Sequence, residues 1–227
     1  MLYGALCTKP TAGHNLIWTK QVAQPVSWII AFLRGQTGDL TRVLSVESYF
    51  RRGVSMVITT DASPYGIGGT LEIAGEVVSF FAGEITSTDK AVLNLQQSPS
   101  CKDQQTLEAL AMLVALRLWS SYWSSRRVVL TVRSDNVSTL AMVAKMQPHG
   151  PQLGLIAREL ALDVASASYV PDVAVHLPGL ANKAADVLSR KHDPNKVFVL
   201  PAYLANCSQI EVPPRLRNWW QSLPAEP

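Results

Sequence analysis

Asp61–Gly69 reads Asp-Ala-Ser-Pro-Tyr-Gly-Ile-Gly-Gly and follows Val54–Thr60, Val-Ser-Met-Val-Ile-Thr-Thr. The earlier segment is β-branched and almost uncharged, the composition of a strand covered on both faces. Asp61 is therefore expected where that strand stops. An acid at such a place has two readings: a turn residue bonding its own backbone, or a functional carboxylate at a sheet edge. The residues farther along decide between them.

Downstream, the chain turns at Pro64-Tyr65-Gly66 and returns as Ile67–Ala74, then again as Glu76–Gly83 with Gly75 as the tight connection, an antiparallel meander. Glu84–Lys102 has no steady period and reads as a long surface loop. Gln104–Trp123 reads as a helix whose only charges between Leu107 and Trp119 are Glu108 and Arg117, so it is expected to be buried on nearly every side. Glu108 shares a stripe with Ala111, Met112, Ala115 and Trp119. A carboxylate there is costly unless paired or bound to metal, although a first-turn acid also suits a helix N-terminus.

Arg127–Ser134 is a second buried strand ending in an acid, Asp135, with a helix following through Val137–Lys145. A right-handed crossover makes it parallel to Val54–Thr60 and puts Asp61 and Asp135 at one edge, where open α/β sheets bind ligands. Pro148–Pro151 is a break with a loop histidine, His149. Leu153–Ala167 is a further helix, Val173–Leu177 a short strand, and Asn182–Arg190 a helix capped by Asn182. Asp186 lies inside that last helix in an apolar setting, a fourth acid that turn chemistry does not explain.

Outside this block the chain is less informative. Met1–Val22 is expected to be an irregular arm, followed by a helix from Pro25 through Val26, Ile29, Ile30 and Leu33 to Gly35. A second short helix is expected through Leu40, Val43, Leu44 and Tyr49–Phe50, ending at Arg51-Arg52-Gly53. After Lys191 a proline-containing tail ends near Trp219-Trp220, which either folds back or meets a partner. The expected organisation is a helical tether over 1–53, an α/β domain over 54–191 and a tail over 192–227.

Composition sets wide limits. The 227 residues are 48% hydrophobic and 16% charged, enough for one sizeable core and unlike a disordered chain. A net charge of +3 permits a polyanionic partner without requiring one. Cys7, Cys101 and Cys207 are odd in number and far apart, which suggests neither a disulfide framework nor a zinc site. With no apolar run long enough to span a bilayer, the expectation is a soluble, intracellular protein.

The ordered set Thr-Asp-Ala-Ser at 60–63, Glu108 in a buried helix, Ser-Asp-Asn at 134–136 and the closing run His176–Arg190 resembles ribonuclease H. That run, His-Leu-Pro-Gly-x-x-Asn-x-x-Ala-Asp-x-Leu-Ser-Arg, is the most specific part. It is similar to the ribonuclease H domain that follows reverse transcriptase in retroelement polyproteins. The resemblance spans about Val54–Lys191, and Arg34–Gly53 resembles a polymerase connection more weakly. It implies an α/β fold with a mixed five-stranded sheet and helices on both faces, and an upstream polymerase as partner. It also implies that Asp61, Glu108, Asp135 and Asp186 bind two divalent cations and that the RNA strand of an RNA/DNA hybrid is cut.

Elementary chemistry agrees with an ion-binding role: clustered carboxylates hold protons unless cations neutralise them, and hard oxygen donors select magnesium or manganese. Choosing RNA requires contacts to the 2′-hydroxyl, for which Ser63 and Asn136 are candidates, although both residue types also favour turns and caps. Arg126, Arg127, Lys183, Arg190 and Lys191 are candidate phosphate contacts. Trp119 and Trp123 read as core. His176 ends a strand, and the loop before the last helix is short, so the mobile-loop histidine of many ribonucleases H has no clear counterpart. A catalytically silent scaffold of the same fold, or a relative acting on DNA, would share this pattern in part.

Overall fold

The computed structural model describes residues 26–34 except 28 and 32, 53–96, 103–124, 128–166 except 147 and 149, and 171–223. The expected arm over 1–22, the second tether helix, His149, Cys7, Cys101, Arg126 and Arg127 lie outside the described residues. Within 26–34 the described residues are helical up to Leu33, as the spacing of Val26, Ile29, Ile30 and Leu33 predicts.

Three strands, β1 (Val54–Ser63), β2 (Gly66–Ile73) and β3 (Glu76–Glu84), form the meander. Two helices follow, α1 (Ser87–Val92) and α2 (Gln104–Leu118), with a single further turn, α3 (Ser121–Ser124). Then come β4 (Val128–Ser134), α4 (Val137–Lys145), α5 (Pro151–Ser166), β5 (Pro171–His176) and α6 (Lys183–Ser189). A two-residue strand, β6 (Ser208–Gln209), completes a sheet of order β5-β4-β1-β2-β3-β6. β1 is antiparallel to β2 and β2 to β3, whereas β1–β4, β4–β5 and β3–β6 are parallel. The fold is thus the expected mixed α/β sheet, with a sixth strand where five are predicted, because β6 is supplied by the chain beyond Lys191.

Pleat alternation assigns the two faces. Met56, Ile58 and Ala62 of β1, Ile67 and Leu71 of β2 and Phe81 of β3 enter the main core with α2, α4 and α5. Phe80 of β3 points the other way and packs with Leu188 of α6 and Leu204. One helix layer therefore covers each face. α2 is buried along Thr106–Leu116, which fits its nearly uncharged sequence.

Several boundaries differ from the sequence expectation. β1 does not stop at Asp61: pairing runs on through Asp61↔Gly68 to Ser63↔Gly66, because a two-residue turn, Pro64-Tyr65, brings β2 back at once. The loop 84–102 holds α1, whose start is a reciprocal cap: the Thr86 hydroxyl accepts from the Asp89 N–H, and the Asp89 carboxylate accepts from the Thr86 N–H. The predicted helix to Trp123 breaks at Trp119, its C-cap. Asn182 makes no side-chain cap on α6; its amide is drawn instead to β1, as described below.

Beyond Lys191 the chain is fastened to the α/β body. Arg215 donates to both carboxylate oxygens of Asp89, with side-chain exposures of 2% and 0%. Farther on, Trp219 lies against Arg117, whose guanidinium carbon is 4.3 Å from the ring centre. Trp220 is 2% exposed in the main core. Of the two readings of the tryptophan pair, the fold-back is the one observed.

Candidate metal centre

Three carboxylates meet at the edge of the sheet. Ligand-capable oxygens of Asp61, Glu108 and Asp135 all lie within 4.8 Å of one another. Each comes from a different element: Asp61 from β1, Glu108 from the second turn of α2, and Asp135 from the residue after β4. The parallel pairing of β1 with β4 brings the two aspartates to the same edge, as the crossover rule predicts. α2, packed beneath β1, delivers the glutamate.

The protein's own donors hold these acids at defined oxygens. The Ser189 hydroxyl donates to Asp61 Oδ2 at 2.7 Å, and Asn182 Nδ2 lies 3.4 Å from Asp61 Oδ1 and 3.0 Å from the Thr60 carbonyl. Glu108 Oε1 accepts from the Ala62 N–H at 3.1 Å and from Gln104 Nε2 at 2.8 Å. Glu108 Oε2 is buried without a hydrogen-bond partner. Gln104, Asn182 and Ser189 were not anticipated as supports. Gln104 was findable, since it stands four residues before Glu108 on one helical face; Ser189 and Asn182 reach Asp61 across more than a hundred residues and leave no local signal.

Burial makes the charged forms expensive. Asp61, 5% exposed, has its carboxyl pKa pushed up to about 7, mainly by loss of water, then by Asp135 and Asp186, against the Ser189 bond. Glu108, 2% exposed, is pushed up to about 9 by burial first and then by Asp61 and Asp135, with Gln104 and Ala62 opposing. Three acids this close, one with an orphaned oxygen, fit a divalent cation: all donors are hard oxygens, and a cation would satisfy the orphan and cancel the repulsion.

Asp186 is not in this trio. Its side chain is 42% exposed and Oδ1 accepts from Arg190 Nε at 2.6 Å, one helical turn on. Ser63 is 1% exposed; its hydroxyl donates to the Ser189 carbonyl at 2.8 Å and accepts from the N–H groups of Tyr65 and Gly66. That hydroxyl anchors the turn to α6 and is not presented to a ligand, the turn reading of the two. Asn136 caps α4, its Oδ1 accepting from the Thr139 N–H at 3.0 Å. His176 Nε2 lies 3.1 Å from the Asp135 carbonyl oxygen, so the ring nitrogen donates and the imidazole steadies the Asp135 backbone. Trp119 and Trp123 are core, 0% and 1% exposed. Lys183 is exposed, while Arg190 and Lys191 are half-buried. No helix among the described residues is long and apolar enough to cross a membrane.

No protein-family model matches the sequence, and neither does any curated protein. Among solved structures, the chain is similar to ribonuclease H1 of the archaeon Halobacterium salinarum, at 14% identity and TM-score 0.41, covering 60% of this chain and 92% of that one. It is similar to the N-terminal ribonuclease H domain of a Mycobacterium tuberculosis protein, solved as a maltose-binding-protein fusion, at 15% identity and TM-score 0.42, covering 60% and 95%. It is also similar to a ribonuclease H1 solved in complex with RNA/DNA hybrid, at 18% identity and TM-score 0.39, covering 59% and 92%.

Proposed function

We propose that this chain is a metal-dependent endonuclease that hydrolyses the RNA strand of RNA/DNA hybrids, in the setting its closing motif resembles: the ribonuclease H domain that follows reverse transcriptase in a retroelement polyprotein. The observation that carries the reading is the convergence of Asp61, Glu108 and Asp135 with Glu108 Oε2 left unpartnered. Structural ion pairing would bring a cation to that cluster from the chain itself, and among the described residues no lysine or arginine bonds these three acids. Arg190 bonds Asp186, at the margin.

Asp61, Glu108 and Asp135 would hold the ions, with Asp186 as the fourth ligand once released from Arg190. A pair of magnesium or manganese ions bound there supplies charge neutralisation, a more acidic water and stabilisation of the departing oxygen. Gln104, Asn182 and Ser189 keep the carboxylates aimed, and the apolar floor of α2 and β1 keeps bulk water from screening them. Hydrolysis adds one water across the P–O3′ bond, leaving a 3′-hydroxyl and a 5′-phosphate. Asn136, one residue past Asp135 and bonded through Oδ1 to the Thr139 N–H, would offer its side-chain amide nitrogen to a 2′-hydroxyl in the shallow minor groove. Lys183, Arg190 and Lys191 on and after α6 would meet phosphates, with affinity that falls as salt rises.

The test is cleavage of end-labelled RNA/DNA hybrid, RNA duplex and DNA duplex with magnesium or manganese, by wild type and Asp61→Asn. The expected result is metal-dependent cutting of the hybrid's RNA strand alone, lost in Asp61→Asn. Equal cutting of a DNA duplex, or activity that survives in Asp61→Asn, contradicts the reading.

A further inference from the structure

The stretch Gly66-Ile67-Gly68 lies directly against α6. A Cβ on Gly68 would sit 2.5 Å from the Ser189 nitrogen and from Leu188 Cβ, and one on Gly66 would sit 2.8 Å from the Ser189 carbonyl oxygen. Only residues without side chains let a helix approach a strand so closely. Ser63 ties down the same spot, its hydroxyl donating to that Ser189 carbonyl at 2.8 Å. The sheet therefore fixes Ser189 by its backbone on both sides. Its side chain is 0% exposed and ends on Asp61.

The direction of that side chain is informative. A serine in a helix ordinarily bonds back to a carbonyl three or four residues earlier. Here such an acceptor is in reach, the Asp186 carbonyl at 2.9 Å, yet the Asp61 Oδ2 contact is shorter at 2.7 Å. With one hydrogen and two acceptors, the shorter contact to Asp61 takes it, and ionisation of Asp61 strengthens the bond further, since charge-assisted bonds are roughly twice as strong as neutral ones. Asn182 approaches the other oxygen, Asp61 Oδ1, from the start of the same helix.

We propose that Ser189 is a positioning residue: its hydroxyl fixes the carboxylate orientation of Asp61 and so sets how tightly the acidic trio binds divalent cations. This deepens the metal-centre reading and rests on it. Partners that orient metal-binding side chains typically change metal affinity or activity by about 10–100-fold when removed.

Isothermal titration of the full chain with Mn2+, alongside hybrid cleavage across a range of Mn2+, tests it. Ser189→Ala is expected to weaken Mn2+ binding by about 10–100-fold and to shift the metal requirement for cleavage upward, with most of kcat recovered at saturating Mn2+. Ser189→Thr, which keeps the hydroxyl, is expected to retain near-native affinity. If Ser189→Ala does not fold, Ser189→Cys, similar in shape but a poor donor, carries the test with the same expected loss. Mn2+ affinity within about threefold of wild type in the folded Ala or Cys variant overturns the inference, and so does equal weakening in Thr and Ala. Wild-type protein that binds no Mn2+ overturns the metal-centre reading itself, a result distinguishable from either.

Discussion

At the scale of residues, the metal-free site is a store of protons. Asp61 rises from an ordinary value of 3.8 to about 7 and Glu108 from 4.5 to about 9. Folding therefore takes up protons between these limits, and the contribution of both groups to stability is greatest below about pH 4 and is lost as pH climbs through 7 and then 9. Glu108→Gln removes the larger part of that penalty while keeping the Oε1 bonds. The metal-free variant is expected to be more stable than wild type at pH 8–9 by about 1–3 kcal/mol, with a flatter pH profile in chemical denaturation and hybrid cleavage reduced to background. Lower stability of Glu108→Gln at that pH would show that the carboxylate is not under strain. Asp61, Glu108 and Asp135 were all legible in sequence, because a buried strand or apolar helix leaves an acid little other reason to be there. Asp186 was legible as an acid in apolar company, but not its 42% exposed side chain: in a helix as short as α6, neighbouring residue types do not fix which side faces out.

At the scale of elements, the meander, α2, β4 and α4 follow directly from period and punctuation. Their pairing order follows from the crossover rule. What failed was local where it was findable and long-range where it was not. α1 carried its own start signal, Thr86-x-x-Asp89, overlooked because Glu84–Lys102 as a whole lacks period. The partner of Asp89 is another matter: Arg215 stands 126 residues away, and nothing near either residue predicts the bond. With both side chains buried, this pair is structural. Asp89→Ala leaves the Arg215 guanidinium in the interior without its partner, so stability is expected to fall by about 3–5 kcal/mol, or roughly 6–20 °C in the unfolding midpoint for a chain of this size. A shift under about 2 °C would mean that water replaces the lost partner.

At the scale of the whole molecule, the chain beyond Lys191 acts as a strap. It adds β6 to the edge of β3, locks Arg215 onto α1, and brings Trp219 to Arg117 at the far end of α2 and Ser222 to Glu159 of α5. There Glu159, 0% exposed, accepts from Arg117, from the Gln221 and Ser222 N–H groups and from the Ser222 hydroxyl. Arg117 and Glu108 are nine residues apart on α2, about 13–14 Å along its axis, so the strap braces one end of the helix while the other presents its acid to the site. Because Asp61, Glu108 and Asp135 converge only when β1, α2 and β4 are assembled, an ion bound to them stabilises the fold. Thermal unfolding at pH 8 of wild type and Asp61→Asn, each with and without Mn2+ near a hundred times its dissociation constant, measures this directly. Wild type is expected to gain about 2.7 kcal/mol, a rise of roughly 5–10 °C, and Asp61→Asn to gain nothing. An unmoved wild-type midpoint, or the same rise in both proteins, would contradict a metal centre at these three acids.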